Sequence, residues 1–230
     1  VVTTGNAQDF VDLSTTFWIN KCSASRVRGL IHGDRPDTTN IDFITIAQKG
    51  NAQDFGDMTA AREDPAGVSN GTRAVLCGGE DEAPGNIIDY VTIAQTGNAV
   101  DFGDLIQQTR NTGSCASPTR AVWAGGTVDA PSNNRQNVIQ FVTISTTGNS
   151  ADFGDLSSTR NTPYGASNSI RGCFSYGYGP SSPNASNAVE FITIASQGNA
   201  QDFGDATTSE NNKNGVSSST RILWAGGGAS

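Results

Sequence analysis

Twenty-two carboxylates, fourteen cations and a single histidine set the limits of the chemistry available to this 230-residue chain. The acids are ordered. Asp-Phe recurs at Asp9-Phe10, Asp54-Phe55, Asp101-Phe102, Asp152-Phe153 and Asp202-Phe203, and a second aspartate follows each at Asp12, Asp57, Asp104, Asp155 and Asp205. Four copies read Asp-Phe-Gly, a string that can ligate magnesium in phosphoryl transfer. Such a site needs one copy, with a glycine-rich phosphate loop and a His-Arg-Asp loop. Neither loop is present, so the string is read as structural. Ten repeated carboxylates could offer oxygens to calcium, but no copy has the acid-dense loop of an EF-hand. No metal and no cofactor is expected. With His32 as the one histidine and no Gly-x-Ser-x-Gly turn, a Ser-His-Asp hydrolase is excluded. A pair of carboxylates for glycoside hydrolysis would have to come from acids that break the repeat, namely Asp34, Asp37, Glu80, Asp81, Glu82 and Asp129. No pair among them is singled out by spacing.

Composition narrows the partners. A net charge of −8 and an isoelectric point near 4.5 argue against nucleic acid, which requires a basic face. No apolar stretch approaches the roughly 18 residues of a membrane helix, so no membrane insertion is expected. Cys22, Cys77, Cys115 and Cys173 lack metal-ligand spacing and fall at different phases of the repeat, which reads as four reduced, packed thiols. The chain opens inside a repeat without an initiator methionine or a signal peptide, as expected of a processed product or a fragment of a longer reading frame.

The elements that position these residues are repeats. Gly-Asn begins at residues 5, 50, 97, 148 and 198, in steps of 45, 47, 51 and 50. An arginine follows each Phe at a fixed distance of 18, giving Arg28, Arg73, Arg120, Arg171 and Arg221. Each arginine opens an apolar run that ends in small residues, clearest in Arg120-Ala121-Val122-Trp123-Ala124-Gly125-Gly126. After a polar insert of changing length comes a second run: Asp42-Phe43-Ile44-Thr45-Ile46, Asp89-Tyr90-Val91-Thr92-Ile93, Gln140-Phe141-Val142-Thr143-Ile144 and Glu190-Phe191-Ile192-Thr193-Ile194. Aromatic and β-branched residues on both faces predict strands covered on both sides. Three lysines and six leucines are too few for helices. A unit near 48 residues with three or four short strands has the size of a propeller blade.

The expected fold is therefore all-β, one domain over residues 1–230, a five-bladed β-propeller. Its ring is expected to close through a composite blade from both termini, with residues 1–12 beside residues 221–228. Most of one strand of that blade is missing from the chain. The repeat arginines are expected to form structural ion pairs with the repeat aspartates Asp57, Asp104, Asp155 and Asp205, because a buried guanidinium needs a carboxylate or several carbonyls.

The apolar run ending in Gly-Gly, followed by an aromatic-bearing strand at blade-sized period, resembles kelch-type propeller repeats. The longer string Thr-Ile-Ala-x-x-Gly-Asn-Ala-x-Asp-Phe-Gly-Asp, followed by Ser-x-Thr-Arg, resembles repeats of uncharacterised marine viral proteins, including phage tail and fibre proteins. The resemblance implies a propeller scaffold in a virion-associated or extracellular setting, with a host-surface or virion protein as partner.

Function is expected in the inserts, which vary while the Phe-to-Arg segment does not. All should emerge on one face, the longest being 127–137 and 177–187. A recognition or structural module fits best, with carbohydrate as one ligand class. Aromatics outside the repeat consensus (Trp18, Tyr164, Tyr176 and Tyr178) are the candidates for stacking on a sugar or anchoring a protein. The alternative is a carboxylate-dependent glycoside hydrolase.

Overall fold

The computed structural model describes residues 9–14, 21–33, 37–80, 85–128, 134–179, 186–209 and 211–228. All regular structure among them is β, in a propeller arrangement of antiparallel sheets. The first sheet holds β1 (Lys21–Ala24), β2 (Arg28–His32), β3 (Thr38–Thr45) and β4 (Gln53–Arg62). The second holds β5 (Ala66–Ser69), β6 (Arg73–Cys77), β7 (Ile87–Thr92) and β8 (Val100–Asp104). The third holds β9 (Gly113–Ala116), β10 (Arg120–Ala124), the short β11 (Thr127–Val128), β12 (Asn134–Thr143) and β13 (Ala151–Arg160). The fourth holds β14 (Tyr164–Ser167), β15 (Arg171–Ser175), β16 (Ala188–Thr193) and β17 (Gln201–Asp205). A two-stranded hairpin follows, β18 (Asn211–Ser217) with β19 (Ile222–Gly228). No helix among the described residues is long and apolar enough to cross a membrane.

Five blades were expected, and the structure has four, plus the hairpin. The difference follows from strand supply. Each complete blade draws its third strand from the Phe/Tyr-Ile/Val-Thr run, and after Arg221 the 230-residue sequence has no such run. Ring closure by the termini is not seen. Residues 1–8 lie outside the described residues, while Asp12 O accepts from Ala52 N at 2.8 Å and Ser14 N donates to Asp42 Oδ2 at 3.3 Å. Residues 9–14 thus meet the first blade as the fourth strand of each blade meets the next, with Asp12 and Ser14 in the places of Asp57 and Thr59.

The register explains why the repeat reads as it does. In each blade the second strand sets an apolar residue opposite the third-strand aromatic: Leu30 faces Phe43, Val75 faces Tyr90, Val122 faces Phe141 and Cys173 faces Phe191. Asp-Phe-Gly forms a β-bulge. Ile41 pairs with Gly56 and Asp42 with Asp54, which leaves Phe55 as the extra residue, and the same shift recurs in the other three blades. A bulge re-aims its side chain. Here it turns Phe55, Phe102 and Phe153 into the core between blades. Asp54 Oδ1 accepts from Gly56 N at 3.1 Å and so holds the bulge.

The Gly-Asn-Ala turn of one blade clips onto that bulge in the blade before it. Gly97, Gly148 and Gly198 N donate to Phe55, Phe102 and Phe153 O at 2.6, 2.7 and 2.7 Å. The asparagine side chains accept from Asp57, Asp104 and Asp155 N at 3.2, 3.0 and 3.1 Å. The contact requires glycine, since a Cβ on Gly56 would stand 2.5 Å from the Gly97 carbonyl.

Among the described residues, four of the five repeat arginines find rings, three of them also carbonyls, rather than the repeat aspartates. Arg28, Arg73 and Arg120 Nη1 donate to the O atoms of Ile93, Ile144 and Ile194 in the following blade at 2.9, 3.0 and 2.9 Å. Arg28, Arg73, Arg120 and Arg171 also lie over Phe43, Tyr90, Phe141 and Phe191, 4.5–4.7 Å from the ring centroids. The expected partners Asp57, Asp104 and Asp155 have their backbone N–H groups committed to the Gly-Asn clip, and Asp57 Oδ1 accepts from Thr39 Oγ1 at 2.8 Å. The guanidinium reaches instead the carbonyl just past the end of the next blade's third strand.

Fully buried ion pairs occur elsewhere. Arg62 Nη2 meets Asp89 Oδ2 at 2.7 Å and Arg160 Nη2 meets Glu190 Oε2 at 2.5 Å, each joining adjacent blades. In the intervening copy the two positions hold Thr109 and Gln140, both buried and neutral.

Candidate functional site

The first strands of the four blades (β1, β5, β9 and β14) and β18 surround a central cavity of about 630 Å³. Its wall is mostly small residues, among them Gly67, Ser69, Ser114, Gly165 and Ser167. Hydroxyls stitch neighbouring strands together: Ser69 Oγ donates to Ala24 O at 2.5 Å, Ser167 Oγ to Ala116 O at 2.7 Å and Ser217 Oγ to Ser167 O at 2.6 Å. Close packing excludes a side chain at the second position of β5 and of β14. A Cβ on Gly67 would lie 2.5 Å from the His32 ring, and one on Gly165 would lie 2.2 Å from the Ser114 carbonyl oxygen.

One level of these strands, the first position of β1, β5, β9 and β14 and Asn214 of β18, is where the blades differ. It carries Lys21, Ala66, Gly113, Tyr164 and Asn214, each opposite the residue four past the repeat arginine. Lys21 is the one charged residue of the described lining, and Asp64 holds its ammonium at 2.9 Å. The turns that feed these strands are strained alike. Asp64, Asn111 and Thr162 have φ of 59°, 57° and 50°, a left-handed conformation costly for a β-branched residue such as Thr162. Thr162 N donates to Asn111 O at 3.0 Å, tying two of these turns together at the rim. Strain of this kind concentrates at binding and active sites. The rim also lies on the insert-bearing side, because Glu63, Arg110 and Asn161 bridge to Glu80, Thr127 and Tyr178 at the starts of the inserts.

Apart from the Lys21–Asp64 pair, burial favours the neutral forms of the histidine and thiols near the wall. His32 is wholly buried, and desolvation, with smaller contributions from the Arg62 and Lys21 cations, lowers its pKa to about 3. Ser23 Oγ lies 3.3 Å from His32 Nε2. Burial raises the thiols of Cys77, Cys115 and Cys173, and all four cysteines are free. Among the described residues, no cluster of three or more His, Cys, Asp or Glu side chains could hold a metal ion.

Of the four aromatics singled out in the sequence, Tyr164 stands at the cavity rim. Tyr176 is in the core, edge-on to Trp224 with ring centroids 6.0 Å apart, so its ring is not available at an insert mouth. Tyr178 sits in the bridge to Asn161, with the Arg135 guanidinium 5.7 Å from its ring centroid. Trp18 lies outside the described residues, as do Asp34, Asp81, Glu82 and Asp129. Glu80 pairs with Arg110. Sequence reasoning missed Lys21 and Asn214. Their signal was positional: both stand seven residues before a repeat arginine, as Tyr164 does, and that site changes character from copy to copy. The chain matches no protein-family model and no curated protein in sequence.

Proposed function

We propose that this protein is a non-catalytic recognition module that takes a hydroxyl-rich ligand, a glycan, at the insert-bearing rim of the central cavity. The observation that carries this reading is the break in symmetry at the rim. Five strands are equivalent in backbone, yet at one level they present a cation, a phenol and an amide at Lys21, Tyr164 and Asn214, above a wall of small residues and hydroxyls. A phenol ring stacks on a sugar face while amide, ammonium and peptide groups bond its hydroxyls. Glycoside hydrolysis would instead need two carboxylates about 5 to 10 Å apart facing one space. Among the described lining residues none is a carboxylate. The kelch-like repeat and the virion-surface setting rest on the repeat string as their whole support. A glycan array followed by calorimetry tests the reading. Tyr164→Ala and Lys21→Ala are expected to weaken the best binder about tenfold or more while leaving the melting temperature nearly unchanged. Failure to retain any glycan, or binding indifferent to both changes, would overturn it.

A further inference from the structure

The hairpin β18–β19 leaves one side of the molecule in a state seen at no other blade junction. Phe55, Phe102 and Phe153 are each 2% exposed, whereas Phe203, at the same bulge position, is 61% exposed. Val75 and Val122 are fully buried opposite their aromatics, whereas Leu223, their counterpart on β19, is 65% exposed. Arg28, Arg73 and Arg120 each bond a carbonyl of the following blade, but Arg171 has no such acceptor among the described residues. Arg221 likewise has no aromatic ring beneath it among them, where the other four repeat arginines do. A Cβ on Gly56, Gly103 or Gly154 would strike the next Gly-Asn turn, and one on Gly204 would meet nothing within 4 Å. Between these groups lies a cavity of about 360 Å³ walled by Arg171, Cys173, Phe203, Ile222 and Trp224.

We propose that this cleft and the edge of β19, which has no strand beside it among the described residues, form a docking site for an extended polypeptide segment with the chemistry of the repeat's own third strand. The occupant is read from the third strands of the four complete blades. It has a hydrogen-bond acceptor, an aromatic, a β-branched residue, Thr and Ile in succession, followed within a few residues by Gly-Asn. The register is set by β15 with β16, where Cys173 faces Phe191, Gly172 faces Ile192 and Arg171 faces Thr193. By equivalence the aromatic seats opposite Leu223 and beneath Arg221, the β-branched residue opposite Ile222, and the Thr opposite Arg221. The terminal Ile carbonyl then accepts from Arg171, as Ile194 O does from Arg120. Main-chain bonds to β19 supply affinity and the alternate side chains supply selectivity, as in strand addition to a sheet edge. An open edge of this kind is otherwise an aggregation template.

The test uses the full chain and a synthetic peptide with the sequence of residues 188–199. Calorimetry is expected to show one-to-one binding, and amide exchange at residues 222–225 is expected to slow when the peptide is present. A peptide with its Phe replaced by Ala, and the protein variant Leu223→Asp, should each weaken binding about tenfold or more. Leu223 is exposed, so that variant should melt as the parent does. No saturation at about 200 µM peptide, or binding unchanged by both substitutions, would overturn the proposal. So would light scattering that shows a homodimer the peptide fails to dissociate, since a second copy would then own the edge. None of these readouts uses the cavity rim, so a failed glycan assay leaves this test intact.

Discussion

The charges that bind the blades together differ sharply in burial. Arg62 and Asp89 are both withdrawn from water, and removing one partner strands the other charge. Arg62→Ala is expected to cost about 3–5 kcal/mol, read as a fall in the denaturant midpoint. Arg120 is half-buried and holds one carbonyl and one ring, so Arg120→Ala should cost about 1–2 kcal/mol. Equal effects would refute this ordering. His32 supplies the pH dependence. Its pKa falls to about 3 in the fold, against about 6.5 in the unfolded chain. Below pH 6.5 the unfolded chain takes up a proton that the fold refuses, so stability declines as pH drops toward 3. Between pH 6.5 and 5, before carboxylates titrate, the expected loss is about 2 kcal/mol. His32→Gln should abolish that slope while keeping a partner for Ser23. A parent protein with a flat profile across this window would contradict it.

At the scale of elements, Asp-Phe-Gly and Gly-Asn-Ala form one device split between two blades. The bulge turns the phenylalanine into the core between blades and the following turn grips the backbone behind it. Gly103 and Gly204 separate the steric part of this device from the conformational part. Both have positive φ, 142° and 131°, so alanine strains both. At Gly103 the new Cβ would also stand 2.5 Å from the Gly148 carbonyl carbon, while at Gly204 it meets nothing. Gly103→Ala is therefore expected to cost about 1–3 kcal/mol more than Gly204→Ala in thermal or chemical denaturation. Matching losses would show that the turn moves aside freely. The strings were plain in the sequence, and their structural reading holds. Their physical role was not legible there, because the clip bonds join residues about one repeat apart and no local pattern names the partner. The arginines show the same gap. Their spacing marked them as structural, but their carbonyl acceptors belong to the following blade, 65 to 74 residues away, and no local pattern names them.

For the whole molecule, what the sequence by itself determined is the unit: its period, its all-β character, the strands covered on both faces and the segments of constant length. These are local properties, written in alternation and spacing within some 48 residues, and each copy states them again. Tyr164 as a ligand candidate was also legible, as an aromatic outside the repeat consensus. Tertiary structure alone decided what the copies do for one another. It made four complete blades rather than five, since a blade needs four strands at one place and the last copy brings two. It sent Tyr176 into the core against Trp224, a residue 48 positions away. It raised Lys21, Tyr164 and Asn214 to one level around a common cavity. The physical reason is the same in each case. A repeat encodes its contacts with the next repeat only as unfilled valences (an apolar face, a carbonyl, a glycine without a Cβ), and these acquire partners only when the neighbouring strand is supplied in space.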